Sequence, residues 1–215
     1  MNIRPTAAEA AAFAQSGQYR SLPVSTEILA DVKTPIEVLR ILQNVSGHCF
    51  LLESAEDNKQ WGRYTFLGFE PKLELACLNG TVYQNSSPVA CAHPNDAIRA
   101  VLAENKSPRL PYLPPFAGGL VGYFAYDYIK YFEPTLNLDA KDTEGFRDVD
   151  LMLFDKLIAF DNLRQKITLI VNMPLDDVET NYPAAVRELH RMADVLPPEI
   201  FQAAKQVAAH KPQER

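Results

Sequence analysis

Apolar residues along this chain recur in two periods, one helical and one strand-like. Ile36, Leu39, Leu42 and Val45 repeat at helical spacing. Thr34 can cap that helix, Pro35 suits its first turn, Glu37 stands at the capping-box position and Gly47 ends it. A second helix is predicted from Pro94 to Glu104, with Asn95 as cap and Ile98, Val101 and Leu102 on its inner face. A third runs roughly from Leu175 to Val195. Its acidic start (Asp176, Asp177, Glu179) suits the positive end of a helix dipole, and Pro183 either kinks it or marks its true start. Ala7 to Phe13 reads as a short alanine-rich helix with frayed ends.

Strand patterns fill the space between. His48 to Leu52 is a short apolar strand closing on the polar pair Glu53-Ser54, and Arg63 to Gly68 is an aromatic and β-branched one. In Lys72 to Leu78, Leu73, Leu75 and Cys77 alternate against Lys72 and Glu74. Asn79-Gly80 then predicts a two-residue hairpin turn into Thr81–Tyr83. Four prolines between Pro108 and Pro115 force a loop, which delivers a glycine-rich strand from Phe116 to Tyr123. Tyr126 to Phe132 reads as one or two helical turns, and Asn137 to Asp148 as a polar loop. Val149–Phe160 and Lys166–Asn172 form a hairpin across Asp161-Asn162-Leu163-Arg164. Hairpins interrupted by helices imply an α+β fold, a largely antiparallel sheet with helices packed on one face. The expected boundaries are an N-terminal extension (1–18), a main domain (19–196) and a linker or tail (197–215).

The 215 residues suffice for one large domain or two small ones. A net charge of −6 with no long basic run argues against nucleic acid or an anionic membrane as partner. No apolar run approaches the length of a membrane-spanning helix, and the first residues do not form a secretory leader. Cys49, Cys77 and Cys91 have no zinc spacing and read as reduced thiols of a cytoplasmic protein, the first two as small hydrophobes. The histidines (His48, His93, His190, His210) form no metal pair, and there is no nucleophile elbow or phosphate loop. Gly118-Gly119 and Gly122 fit close backbone approach better than phosphate binding. No catalytic residue and no metal ligand can be named.

Two segments carry more information in combination. Leu51-Leu52-Glu53-Ser54 stands nine residues before Arg63-Tyr64-Thr65-Phe66-Leu67-Gly68, with Pro71 just after. Pro115-Phe116-Ala117-Gly118-Gly119-Leu120-Val121-Gly122-Tyr123 leads to Tyr126-Asp127 and Tyr131-Phe132-Glu133-Pro134. In this order and spacing they resemble the N-terminal region of anthranilate synthase component I, over roughly Tyr19 to Val195. The resemblance implies a lyase of tryptophan biosynthesis that converts chorismate and ammonia to anthranilate and pyruvate. It also implies Mg²⁺ in the complete enzyme, a glutamine amidotransferase partner, and a C-terminal chorismate-binding domain expected to be absent from this chain. This chain is then half of a larger two-domain α/β sandwich and is not catalytic alone. Its uncovered face is expected to present an apolar patch or to form a homodimer.

The family's N-terminal region also carries feedback inhibition by L-tryptophan. Its Leu-Leu-Glu-Ser segment falls on Leu51 to Ser54, which makes Leu52, Glu53 and Ser54 the tryptophan-binding candidates. Glu53 can pair with the ammonium and Ser54 can bond a charged group, at roughly 1.5–3 kcal/mol per charge-assisted bond. An indole burying about 150–250 Å² gains roughly 4–6 kcal/mol gross, much of it offset by the cost of association. Arg63 supports the site by pairing with Glu53, or else lies on a solvated strand face. Tyr123, Tyr126, Tyr131 and Phe132 fit packing better than a ligand cage. Two other functions remain open: the N-terminal half of aminodeoxychorismate synthase component I, and a scaffold domain without ligand.

Overall fold

The structure is a computed structural model that describes residues 1–30, 34–53, 62–133, 135–136 and 145–196. The expected tail at 197–215 and most of the polar loop at 137–148 lie outside the described residues. The chain divides into two compact units. The first comprises Met1–Glu70, Ser107–Gly118 and the described residues from Asp155 onward, and the second comprises Pro71–Lys106 and Gly119–Phe154.

The first unit is a six-stranded antiparallel sheet covered on one face by three helices. Its strands are β1 (Ile3–Arg4), β2 (Ser21–Leu29), β3 (Cys49–Glu53), β4 (Tyr64–Phe69), β10 (Lys156–Asp161) and β11 (Lys166–Pro174). They lie in the order β1-β2-β11-β10-β4-β3, so β3 is an edge. The helices are α1 (Ala7–Ser16), α2 (Pro35–Leu42) and α4 (Val178–Val195). Leu67, Phe69, Ile158, Phe160, Ile167 and Leu169 share one face by strand alternation and meet Ala10, Val38, Leu42, Leu189 and Met192 from the helices. The expected N-terminal helix is well closed: Thr6 and Glu9 form a capping box, and Gly17 ends it in the left-handed conformation.

The second unit is a five-stranded antiparallel sheet of β5 (Leu73–Leu78), β6 (Thr81–Gln84), β7 (Ser87–Val89), β8 (Gly119–Phe124) and β9 (Val149–Phe154). Its order is β7-β6-β5-β9-β8. Helix α3 (Pro94–Glu104) and the 3₁₀ segment Tyr126–Tyr131 pack on it, with Leu75, Cys77, Val82, Ile98, Val101, Tyr128 and Leu151 in the core. The expected hairpin is present: Asn79 and Gly80 both have positive φ, 49° and 82°, as the short turn demands. A Cβ on Gly122 would run into the Asp150 carbonyl of β9, so this glycine serves close backbone approach, as read.

Several expectations change. Val149–Phe160 is two strands, not one: the chain breaks at Asp155, and β9 and β10 belong to different sheets. Helix α2 ends at Leu42, well before Gly47. Its buried residues are Val38 and Leu42, while Ile36 and Val45 are exposed. In α3 the cap is His93, whose side chain accepts from the Asn95 N–H, and Leu102 faces out. Strand β2 escapes sequence reading because Pro23 punctuates it. That proline lies beyond the two residues, Ser25 and Thr26, that β1 pairs. Helix α4 runs through Pro183 and begins behind an Asp177 cap. Among the described residues no helix is long and apolar enough to cross a membrane.

Candidate functional site

Leu52, Glu53 and Arg63 sit at one end of the first sheet, where β3 finishes, β4 begins and β10 finishes. Register places Leu52 opposite Phe66 and Glu53 opposite Thr65. Successive residues of a strand point to opposite faces. Glu53 therefore shares the helix-covered face with Thr65 and Leu67, and Leu52 shares the other face with Phe66. Ser54 lies outside the described residues.

On the helix-covered face, the fully buried Thr65 hydroxyl donates to Glu53 Oε1 at 3.4 Å and accepts from Asn162 Nδ2 at 3.2 Å. The exposed Glu53 carboxylate has no ion pair among the described residues, which leaves it able to receive a cation. On the other face, Tyr64 stacks on Phe66 (ring centroids 5.9 Å apart), and Phe66 meets Phe116 edge-on at 5.6 Å. Phe50 adjoins Phe116 at 6.4 Å. Gly68 makes room for the Phe50 ring, which a Cβ there would strike. Leu52 is 46% exposed beside this aromatic row.

Arg63 does neither of the two things expected of it. Its Nε and NH2 groups donate to the two oxygens of Asp161, at 3.0 and 2.5 Å. Its guanidinium lies 4.8 Å from the Tyr64 ring centroid. Asp161 also accepts the backbone N–H groups of Leu163 and Arg164, so the β10–β11 turn aims the carboxylate. Burial pushes the Asp161 carboxyl up, but Arg63 and the turn N–H groups outweigh it and hold it below the usual carboxylate range. The pair joins positions 98 residues apart, a relation that no local pattern announces.

Elsewhere in this unit Glu70 gathers Lys156 (3.0 Å) and Arg191 (2.6 Å), which overcome burial and lower its pKa. His48 is exposed at the entry to β3, where its backbone N–H and carbonyl bond the Ser46 hydroxyl. In the second unit the buried Asp148 accepts from Lys130 (2.6 Å) and the Tyr131 hydroxyl (2.7 Å). Burial and then the bond to Asp148 push the Tyr131 phenol far up. Of the four aromatic residues expected to pack, Tyr131 does so, whereas Tyr126 is 91% exposed and Tyr123 and Phe132 are also exposed. Among the described residues of this unit, Tyr128 and Phe154 are buried aromatics. All three cysteines are free thiols, and burial raises Cys77 and Cys49.

The family model for chorismate binding enzymes matches residues 47–214. Anthranilate synthase component 1 of Acetivibrio thermocellus is 35% identical over 181 residues, covering 80% of this chain and 36% of that protein. The protein of the same name from Acinetobacter calcoaceticus is 35% identical over 202 residues, covering 89% of this chain and 40% of that one. A crystal structure of anthranilate synthase component I from Streptococcus pneumoniae TIGR4 is similar, with a TM-score of 0.54 and 28% identity over 79% of this chain and 36% of that chain. The chain thus spans 36–40% of the length of these relatives.

Proposed function

The chain belongs to the chorismate binding enzymes, and from that premise we propose that it is the tryptophan-sensing, regulatory portion of an anthranilate synthase component I. The complete enzyme converts chorismate and ammonia to anthranilate and pyruvate, with a glutamine amidotransferase subunit supplying the ammonia. The reading draws on relatives named anthranilate synthase component 1 at about 35% identity over most of the chain.

The observation that carries the sensing role is Glu53: an exposed carboxylate at the end of an edge strand, without an ion pair among the described residues. Its local chemistry suits the ammonium of an amino acid. Ser54, the next residue, completes the polar couple. Leu52 and Glu53 face opposite sides of the sheet, so one ligand meets both only by wrapping the strand end. The remaining contacts then come from outside these residues, and the isolated chain binds tryptophan weakly. Arg63 holds the start of β4 through Asp161 and does not itself meet the ligand. Its role is positioning.

The chorismate binding enzyme model matches residues 47–214 of this chain, which the expected absence of that domain did not foresee; as a proposal, the chemistry of the complete enzyme also draws on the remaining length of its relatives. No three His, Cys, Asp or Glu side chains among the described residues converge as a metal-holding group. No step described here runs through the Mg²⁺ of the complete enzyme.

The test is the tryptophan response of the complete enzyme carrying this chain. Ser54→Phe should abolish inhibition of anthranilate formation while leaving uninhibited turnover in place, and Glu53→Gln should weaken it. Retention of full tryptophan inhibition by Ser54→Phe would sink the sensing role. Anthranilate made by the 215-residue chain alone from chorismate, magnesium and ammonium would sink the division of labour.

A further inference from the structure

On the sheet face away from α1, α2 and α4, the register of β1, β2 and β11 brings a second set of polar residues together. Arg4 lies opposite Ser25, and Glu27 opposite Thr168. Ser25 and Glu27 are two apart on β2 and so share a face. These four, with Asn2, Tyr112 and Leu113, line a cavity of about 190 Å³. Drug-sized ligands occupy roughly 300–1,000 Å³, so an occupant here is smaller.

Four features mark the cavity as more than a surface dent. Thr168 is only 7% exposed and lines the cavity. Ser25, 4% exposed, makes only a long 3.4 Å contact to the Arg4 carbonyl. The Arg4 guanidinium has no ion pair among the described residues and lies 5.9 Å from the Tyr112 ring centroid. Lys166 occupies Glu27 Oε2 at 2.7 Å and leaves Oε1 open.

The charges select the ligand. A simple anion meets Arg4 but is repelled by Glu27, and a simple cation meets the reverse. A molecule carrying both charges satisfies both. Arg4's partner Ser25 and Glu27 are separated along β2 by roughly 6.5–7 Å, at about 3.3 Å per residue. From these contacts we infer that the cavity binds a free α-amino acid. Arg4 takes the carboxylate through its planar fork, Glu27 Oε1 takes the ammonium, and the Ser25 and Thr168 hydroxyls serve the remaining polar atoms. Tyr112 and Leu113 provide the apolar wall. This site is separate from Glu53 and does not depend on the tryptophan reading.

The experiment is an amide-resolved NMR titration of the ¹⁵N-labelled chain with each of the common L-amino acids, and with acetate and ethylamine as single-charge probes. At least one amino acid should give saturating shifts at Arg4, Ser25, Glu27 and Thr168, with acetate and ethylamine far weaker. Arg4→Gln and Glu27→Gln, both at exposed positions, should each weaken binding by roughly tenfold or more with the other resonances unmoved. The inference is overturned if no amino acid gives saturating shifts there, if either single-charge probe binds as well, or if both variants bind like the parent chain. Because the single-charge comparison uses the unsubstituted protein, it decides the matter even if a variant fails to fold.

Discussion

Replacing Asp161 by Asn tests whether the Arg63–Asp161 pair fixes the end of the first sheet. Asn keeps the shape and an oxygen for the Leu163 and Arg164 N–H groups, so the turn after β10 survives. What is lost is the charge that meets two guanidinium donors at 3.0 and 2.5 Å. The Asp161 side chain is 9% exposed and that of Arg63 25%, so solvent screens the pair only in part. Charge-assisted bonds contribute roughly 1.5–3 kcal/mol each when shielded and much less at the surface; about 2 kcal/mol for this pair lies between. Since the chain has two units, a global melting midpoint is a blunt readout. Hydrogen exchange of β4 and β10 amides reads the local opening energy directly. Protection there should fall roughly thirtyfold, the equivalent of about 2 kcal/mol. The Arg63→Met single and double variants complete a mutant cycle with an expected coupling of about 1–2 kcal/mol. A coupling below about 0.3 kcal/mol, or unchanged protection, would show that the pair ornaments the surface and that packing alone sets the strand ends.

Gly122→Ala should prevent the second sheet from closing, or cost about 3 kcal/mol or more, because the new Cβ meets the Asp150 backbone. Gly47→Ala, with open space around it, should change stability by less than about 0.5 kcal/mol. Urea unfolding separates the two, and equal effects would contradict the register of β8 with β9. Asp161, Asp148 and Glu70 all titrate below their ordinary values when folded. Their contribution is therefore complete above the unfolded carboxylate values, about 4, and is lost as pH falls through the lower folded values. Urea midpoints should hold from neutral pH to about 5 and then drop, and a midpoint that rises on acidification below that would be the opposite of this linkage.

Much of the local structure is written in short stretches. The Thr34–Glu37 capping box, the Asn79-Gly80 turn and the alternation of Leu73, Leu75 and Cys77 each depend on neighbours within a few residues. The family motifs also lie in continuous segments, and the antiparallel α+β class follows from such pieces. Other features had no local signature. Ile36 and Leu102 fit a helical stripe by spacing, but what covers a helix decides which residues are buried. Val149 to Phe160 looks like one strand because apolar residues resume directly after Asp155-Lys156, yet the break at Asp155 divides it between two sheets.

The candidate site divides the same way. Glu53 was legible as the polar close of an apolar strand. Its separation from Leu52 across the sheet, Arg63's bond to Asp161, and the Arg4–Glu27–Thr168 cavity required the fold. Backbone conformation, capping and turns are set by forces acting over one or two turns of chain, so they can be read from short stretches of residues. Burial, charge pairing and cavity lining depend on which distant strands become neighbours. Those emerge from the folded sheets, because register converts separations of a hundred residues into contacts of a few ångströms.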